Sequence, residues 1–443
     1  MKNPDILQVR IFLLMAVYIC NPHPPAPLPK GEGEIRSIMK AILVINSGSS
    51  TIKFSVFSIT DTTPTREYNG LVDRILMQPT LTIESCKTAE KITEEIAVFG
   101  EKETYYKQAI EAILRWVVGK GFELVAAGHR IVHGGPEYTK PVVLDKVITK
   151  KLLDLTPIMP LHQPYNVKGI EILSEELPNL LQVGCFDTMF HATCNPISQQ
   201  YAIPNKFTEA GIKRYGFHGL SYEYIASQLP KYMSEKEANG KFVVAHLGNG
   251  STMCAIEKQK SVATSIGFTG LGGLPMATRC DSIDPGAVLY LLENYGYNTE
   301  QLRNFFYKEC GLLGVSGVSS DMRDLLASDK PEAKLAIDIY VHRIYIMTGQ
   351  LVAELQGLDG FIFTAGIGEN AAPVREQVCN HLTWLGVSLD KEKNKQKIKE
   401  AAKISSAKSQ VPVWVIPTDE ELMIAKHTLN LYKQMLTPYA SPE

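Results

Sequence analysis

No charge of one sign dominates this chain. It carries 45 Lys and Arg against 47 Asp and Glu, a formal net charge of −2, which argues against a nucleic-acid or acidic-membrane binding protein. Cysteine is sparse and scattered: there are eight, none in a C-x-x-C pair, and the nearest two, Cys185 and Cys194, have no partner cluster with metal-ligand spacing. That removes a disulfide framework and a zinc ribbon and leaves a reduced, cytoplasmic protein as the expected setting. Long apolar runs are also missing. The run from Ile11 to Cys20 is too short to span a bilayer. The segment from Leu335 to Leu355 is interrupted by Asp338, His342, Arg343 and Gln350, so it reads as a buried helix.

Residues 1–38 do not match the rest. Their apolar run resembles the core of a signal peptide, but Asp5 weakens the basic flank and the Pro-rich stretch from Pro22 to Pro29 is unlike a cleavage site. The expectation is an N-terminal extension or a misassigned start, without stable structure. The remaining length, with 45% apolar residues, favours two or more domains.

What is present begins at Ala41. Two β-branched, apolar segments, Ala41–Ile45 and Ile52–Phe57, flank the turn Ser47-Gly48-Ser49-Ser50-Thr51. This predicts a hairpin. Its small, hydroxyl-rich turn lets backbone N–H groups approach an anion, and Lys53 adds positive charge beside it. Asn46, at the end of the first strand, offers an amide to a metal-bound water. Taken alone, the stretch is equally an ordinary polar hairpin. The same pattern returns at Phe242–Leu247, Gly248-Asn249-Gly250-Ser251-Thr252 and Met253–Ile256. Two such turns suggest a duplicated core with two phosphate grips facing a cleft.

Between and after the hairpins lie further polar motifs. A helix is predicted over Tyr105–Val118, stopped by Gly119 and Gly121. A strand from Leu124 to Gly128 leads into His129-Arg130-Ile131-Val132-His133-Gly134-Gly135. The buried strand Leu181–Phe186 ends at Asp187, where a carboxylate points into the crevice of an α/β sheet. Further motifs are Arg214-Tyr215-Gly216-Phe217-His218-Gly219, a Gly-rich loop ending at Arg279, and Ser319-Ser320-Asp321-Met322-Arg323 at a helix start. The strand Phe361–Thr364 precedes Ala365-Gly366-Ile367-Gly368-Glu369-Asn370. With Asp390 downstream, that stretch is formally a dinucleotide fingerprint. The strand from Val411 to Ile416 precedes Thr418 and Glu421, spaced for a capping box on a last helix.

In combination these motifs resemble the acetate kinase family, within the actin/Hsp70/sugar-kinase superfold. The resemblance runs from Met39, where the family normally begins, to about Lys433. It implies an α/β chain of two duplicated ribonuclease H-like (actin-like ATPase) domains with an interdomain cleft. Domain I would be 39–187, completed by a helix at 420–437; domain II, the nucleotide-binding one, would be 191–419. It implies catalytic roles for Asp187, Arg130, His218 and Arg279, with His162 nearby. Acyl-substrate contacts fall on Arg130, Val132, Leu161 and Phe217. ATP contacts fall on Ser49, Thr51, Lys53, His246, Asn249, Gly250, Asp321, Met322, Arg323, Gly366, Ile367 and Asn370. Mg²⁺, or Mn²⁺, would be held near Asn46 and Glu420. The implied reaction is reversible, direct in-line transfer of a phosphoryl group from ATP to acetate, giving acetyl phosphate and ADP, by a homodimer acting on no nucleic acid or membrane. A propionate or butyrate kinase is the near alternative, and an actin- or chaperone-like ATPase the distant one. The chain departs from the common pattern at Tyr222, where many members carry His. It departs also at Ala277 and at Asp281-Ser282, and at Gly270, where a bulkier residue usually lines the acyl pocket.

Overall fold

The computed structural model describes residues 39–59 and 63–436; the expected extension over 1–38 and residue 437 of the expected last helix lie outside them. The first predicted hairpin forms. β1 (Met39–Ser47) and β2 (Ile52–Ile59) pair antiparallel, with Asn46 opposite Lys53. Strand β1 is apolar on both faces because both are covered. Leu43 and Ile45 pack into one buried cluster, Ile42 and Val44 into another, as the period of two requires.

The meander continues through β3 (Pro64–Asp73), β4 (Thr80–Ser85) and β5 (Lys91–Glu95). Helix α1 (Lys102–Gly119) returns the chain, three residues longer at its start than predicted, and ends before Gly121, whose φ is +87°. It carries the chain to β6 (Phe122–Ile131), parallel to β1. A short strand β7 (Val142–Val143), then helix α2 (Gln163–Glu176) and β8 (Leu181–Phe186), parallel to β6, complete the sheet. Its order is β5-β4-β3-β2-β1-β6-β8-β7.

Helix α3 (Gly219–Tyr232) leads into a second sheet. Here β9 (Lys241–Leu247), β10 (Ser251–Glu257) and β11 (Lys260–Thr264) form an antiparallel meander. Helices α4 (Pro285–Asn294) and α5 (Pro331–Leu355) precede β12 (Gly360–Thr364). Then β13 (Ala402–Lys403) and β14 (Val413–Val415) follow, and β12 lies parallel to both β9 and β14. The order is β11-β10-β9-β12-β14-β13. An antiparallel three-strand meander extended by two parallel strands therefore occurs in both sheets (β3-β2-β1-β6-β8 and β11-β10-β9-β12-β14). The duplication expected from two similar turns is present in the topology.

Helix α6 (Glu420–Leu436) leaves the second sheet and packs on the first: Met423, Ile424, Ala425 and Leu429 share a core cluster with Ile42, Val44 and Val183. The approach is close. A Cβ on Gly128 of β6 would lie 2.4 Å from Thr428 Oγ1 and 2.6 Å from Ile424 Cγ2. The expected Thr418–Glu421 capping box does not form. Asp419 accepts the Leu422 N–H at 2.9 Å instead, while Thr418 Oγ1 lies 2.8 Å from Ser221 Oγ. Among the described residues no helix is long and apolar enough to cross a membrane.

Candidate active site

Parallel strands leave their carboxyl ends open at one edge, and that is where the polar motifs meet. Arg130, at the end of β6, makes a two-pronged ion pair with Asp187, just past β8: Nε donates to Oδ1 at 2.9 Å and Nη2 to Oδ2 at 2.6 Å. Nη1 reaches Asn46 Oδ1 at 3.5 Å, and Nε stands 3.5 Å from Glu420 Oε2. The planar fork matches the carboxylate edge, which a Lys would not. Burial pushes the Asp187 carboxyl up, and Arg130 pulls it back. Burial likewise raises Glu420, to about 7, against the pull of Arg130 and with Asp187 adding to the rise. The Arg130 guanidinium is held charged by these two acids against its own desolvation.

Asp187 also organises the second half of the site. Its main-chain carbonyl accepts the Gly219 N–H at 2.8 Å, and the neighbouring His218 main chain helps to lower its carboxyl pKa. His218 itself stands at φ +56°, a left-handed conformation unusual for a non-glycine residue. From there the imidazole reaches the second turn, where its Nε2 would stand 3.2 Å from a Cβ on Gly250. The ring stacks on His246 at 4.2 Å between centroids. Burial and the neighbouring charges hold both imidazoles well below the usual histidine pKa, His246 at about 3. They are therefore neutral at physiological pH. A continuous chain of contacts thus runs from Asn46 in the first hairpin through Arg130, Asp187 and His218 to Gly250 in the second.

Arg279 approaches from a separate loop. Its Nη1 donates to the Gly270 carbonyl at 2.9 Å. Among the described residues no carboxylate lies within ion-pair distance of it, and burial with the nearby Arg130 charge lowers its pKa. The departures noted in the sequence hold this loop. The Ala277 N–H donates to the Asn249 carbonyl at 3.1 Å, joining the loop to the second turn. Asp281 pairs with Arg343 of α5, and Ser282 Oγ accepts the Gly273 N–H at 3.2 Å. His162 sits before α2, half-buried, its Nδ1 enclosed without a hydrogen-bond partner. Burial, then Arg279 and Arg130, bring its pKa to about 4.

The expected acyl-pocket residues converge in part. Val132 and Phe217 belong to one small apolar cluster with Met159, Ile266 and Met276. Leu161 is half-buried on the neighbouring loop. A Cβ on Gly270 would meet Arg279 Nη1 at 3.0 Å and Met159 Cε at 3.7 Å. Asn166 of α2 straps this wall to the first hairpin: its Oδ1 accepts the Val132 N–H at 3.0 Å and its Nδ2 donates to the Ser47 carbonyl at 2.7 Å.

The nucleotide positions divide. In the first turn the Gly48 N–H bonds the Thr51 carbonyl at 2.8 Å, while Ser49 and Lys53 are exposed and Thr51 half-exposed. Gly248 of the second turn stands within 4.0 Å (as a Cβ) of the Gly366 amide, so the short helix Ala365–Asn370 opens against that turn. Gly366 and Asn370 are exposed and Ile367 half-buried. Asp321 and Arg323 pair with each other at 2.5 Å, and Asp321 caps the helix Met322–Leu326. Met322 differs from expectation: its side chain is 3% exposed in the core of the second sheet, because it is the inward face of that short helix. The dinucleotide reading fails on its acidic residue, since Asp390 accepts the Glu392 and Lys393 N–H groups as a helix cap. The sequence reading overlooked Asn166 and Met159, which lie in no marked motif, and gave no role to Thr252, the last residue of the second turn; only their contacts reveal them.

A profile described as the Acetokinase family matches residues 41–426. An acetate kinase of Nitrobacter hamburgensis is 44% identical over 403 residues, covering 89% of this chain and 96% of that protein. Among solved structures, a propionate kinase from Francisella tularensis superposes with a TM-score of 0.81 at 35% identity, covering 88% of this chain and all of that one. The Porphyromonas gingivalis acetate kinase superposes with a TM-score of 0.78 at 32% identity, covering 88% and 99%.

Proposed function

Because the chain belongs to the acetokinase family, we propose that it catalyses the reversible transfer of the γ-phosphoryl group of ATP to acetate, giving acetyl phosphate and ADP. One observation carries the reading most directly. Arg279, half-buried with its guanidinium 6.0 Å from the Tyr307 ring centroid, has no carboxylate partner among the described residues, while Arg130 is paired with acids. A half-buried guanidinium without a counter-ion is a ready site for an anion. A phosphoryl group in flight, with charge spread over its equatorial oxygens, supplies that anion.

The roles follow from position. The two turns, with Gly366 beside the second, present backbone N–H groups to the nucleotide phosphates. Arg279, Arg130 and the neutral imidazole of His218 surround the transferring group, donors fixed before the charge develops. Asp187 keeps Arg130 aimed. Val132, Phe217, Leu161 and Met159 line a small apolar pocket for the acid's methyl group. The acetate carboxylate is already an anion, so in-line attack on phosphorus needs no strong base. Asn46 and Glu420 lie on either side of Arg130 and are hard oxygen donors. Among the described residues no cluster of three metal-ligating side chains forms. That donor set fits Mg²⁺ or Mn²⁺ held by one or two protein oxygens, waters and phosphate rather than by a protein cage. Such an ion, when bound, neutralises phosphate charge.

The domain division follows the two sheets: 39–187 with the last helix, against 191–419. A homodimer is supported by α4, which has no buried residue and exposes Leu289 and Tyr290 by more than half. The propionate kinase alternative rests on Gly270, which leaves the pocket wall short. A hydroxamate assay with ATP and acetate, propionate or butyrate tests the reading. Acetate-dependent acyl phosphate formation with the highest kcat/KM for acetate is expected. ADP release indifferent to any acid would overturn it.

A further inference from the structure

No step above uses Tyr222. It is fully buried on the first turn of α3, one turn after His218. Its hydroxyl oxygen lies 2.6 Å from Thr252 Oγ1, and Thr252 Oγ1 lies 2.9 Å from His218 Nδ1. The directions of these bonds follow from what else each atom touches. The phenol is fully buried and Thr252 Oγ1 is the partner in reach of its proton, so Tyr222 donates to Thr252. Thr252, accepting there, turns its hydroxyl proton to the remaining acceptor, His218 Nδ1.

We infer that Tyr222 is a positioning residue for the phosphotransfer step, acting through Thr252 to lock His218 in the Nε2–H tautomer. The imidazole edge facing Gly250 and the phosphate cleft then carries a donor and not a lone pair. The difference is large for this chemistry. A neutral Nε2–H donates to an equatorial phosphoryl oxygen, whereas a bare Nε2 repels it. The stacked neighbour repeats the logic, with His246 Nδ1 held by Ser221 Oγ at 2.8 Å, itself 2.8 Å from Thr418 Oγ1. Hydroxyls of α3 and β10 thus fix both rings of the pair. A phenol reaching one hydroxyl relay performs the orienting task.

The inference rests on the proposed phosphotransfer role of His218, but the relay itself is readable without turnover. ¹⁵N-histidine NMR of the ligand-free protein near pH 7.5, with the His218 signals assigned by difference against His218→Ala, should show a protonated Nε2 and an unprotonated Nδ1. In Tyr222→Phe both tautomers should appear. In Thr252→Ser, which keeps the hydroxyl, the wild-type pattern should persist. In steady state, Tyr222→Phe should lower kcat about tenfold, the worth of one oriented hydrogen bond. The KM for acid and for ATP should stay within about twofold. In a His218→Ala background the same substitution should change kcat by less than about twofold, since the group it orients is gone. An Nδ1–H tautomer in the wild type, or an unchanged tautomer in Tyr222→Phe, overturns the relay. An equal loss of kcat in both backgrounds overturns the positioning role and leaves a merely structural one. A correct tautomer response in a protein inactive on every acid would retain the relay and sink the function it serves.

Discussion

At the scale of single residues, the proposed chemistry turns on which guanidinium is already satisfied. Arg130 has two acids; Arg279 has a carbonyl. Replacing Arg279 with Ala should therefore leave the fold intact and cut kcat by on the order of 10²–10³-fold, the usual loss for one pre-aimed donor to a developing anion. Near-normal turnover in that variant, measured at saturating ATP and acetate, would remove Arg279 from the mechanism. Gly270 tests the same side chain from the pocket wall. A Cβ there would sit 3.0 Å from Arg279 Nη1, tighter than ordinary contact, and 3.7 Å from Met159 Cε. Gly270→Ala should narrow the acyl pocket and displace Arg279 by a few tenths of an ångström. The expected outcome is a moderate fall in kcat for acetate and a larger one for propionate and butyrate. The added discrimination should not exceed ~1–3 kcal/mol, since one methyl against an apolar wall is worth no more. Comparing kcat/KM across the three acids decides it; an unchanged or inverted order of preference would place the acyl group elsewhere.

At the scale of elements, α6 ties the last strand of the second sheet to the core of the first, and it does so over Gly128. Gly128→Ala forces a methyl into Thr428 and Ile424, an overpacking that costs ~1–3 kcal/mol where the helix cannot retreat. The urea midpoint should fall accordingly. Hydrogen exchange should rise first along α6; uniform exchange with an unshifted midpoint would show that the helix docks more loosely than its contacts imply. The elements themselves were largely legible. β1 and β9 announce themselves as apolar runs without alternation because both faces of each are covered, and Tyr105–Val118 keeps an apolar face at helical spacing. The site was legible where a motif concentrates rare residue types, as at His129–Gly135. It was illegible where function depends on a single contact between distant segments. Asn166 and Met159 carry no local signal, since an Asn or a Met beside a helix is ordinary, and Thr252 stood in a marked turn whose pattern gave its side chain no role of its own. The Thr418–Glu421 spacing misled for the same reason: Asp419 competes for the cap, and Thr418 is taken by Ser221, a residue far away in sequence. Met322 was read by motif position alone, and core packing claimed its side chain.

The whole molecule adds two constraints that no element shows. One is association. Leu289 and Tyr290 on α4 are both exposed by more than half and lie near Tyr295, which is 68% exposed and in edge contact with Tyr290. Leu289→Lys with Tyr290→Lys should convert a dimer to a monomer in analytical ultracentrifugation; an unchanged sedimentation coefficient would put the interface elsewhere. The other constraint is acid lability. His129 and His191 are buried, each with a pKa driven down to about 4 by desolvation. His129 Nε2 meets Gln182 Oε1 at 2.8 Å. His191 lies among Ser261, the Phe217 carbonyl, the Cys254 thiol and the Tyr222 ring, with no acid among these contacts to stabilise a proton. In the unfolded chain both rings take a proton near pH 6.5. The unfolded state therefore binds more protons than the native one between about pH 6.5 and 4, and stability falls as pH falls through that window. At pH 5 each ring should cost ~2 kcal/mol relative to pH 7.5. His191→Asn should lower stability at pH 7.5 through its lost hydrogen bonds, yet flatten the acid limb. The stability gap to wild type should shrink by ~2 kcal/mol between pH 7.5 and 5. Urea unfolding at both pH values measures the gap, and a gap that holds constant would mean that the imidazole takes up its proton in the fold as readily as in the unfolded chain.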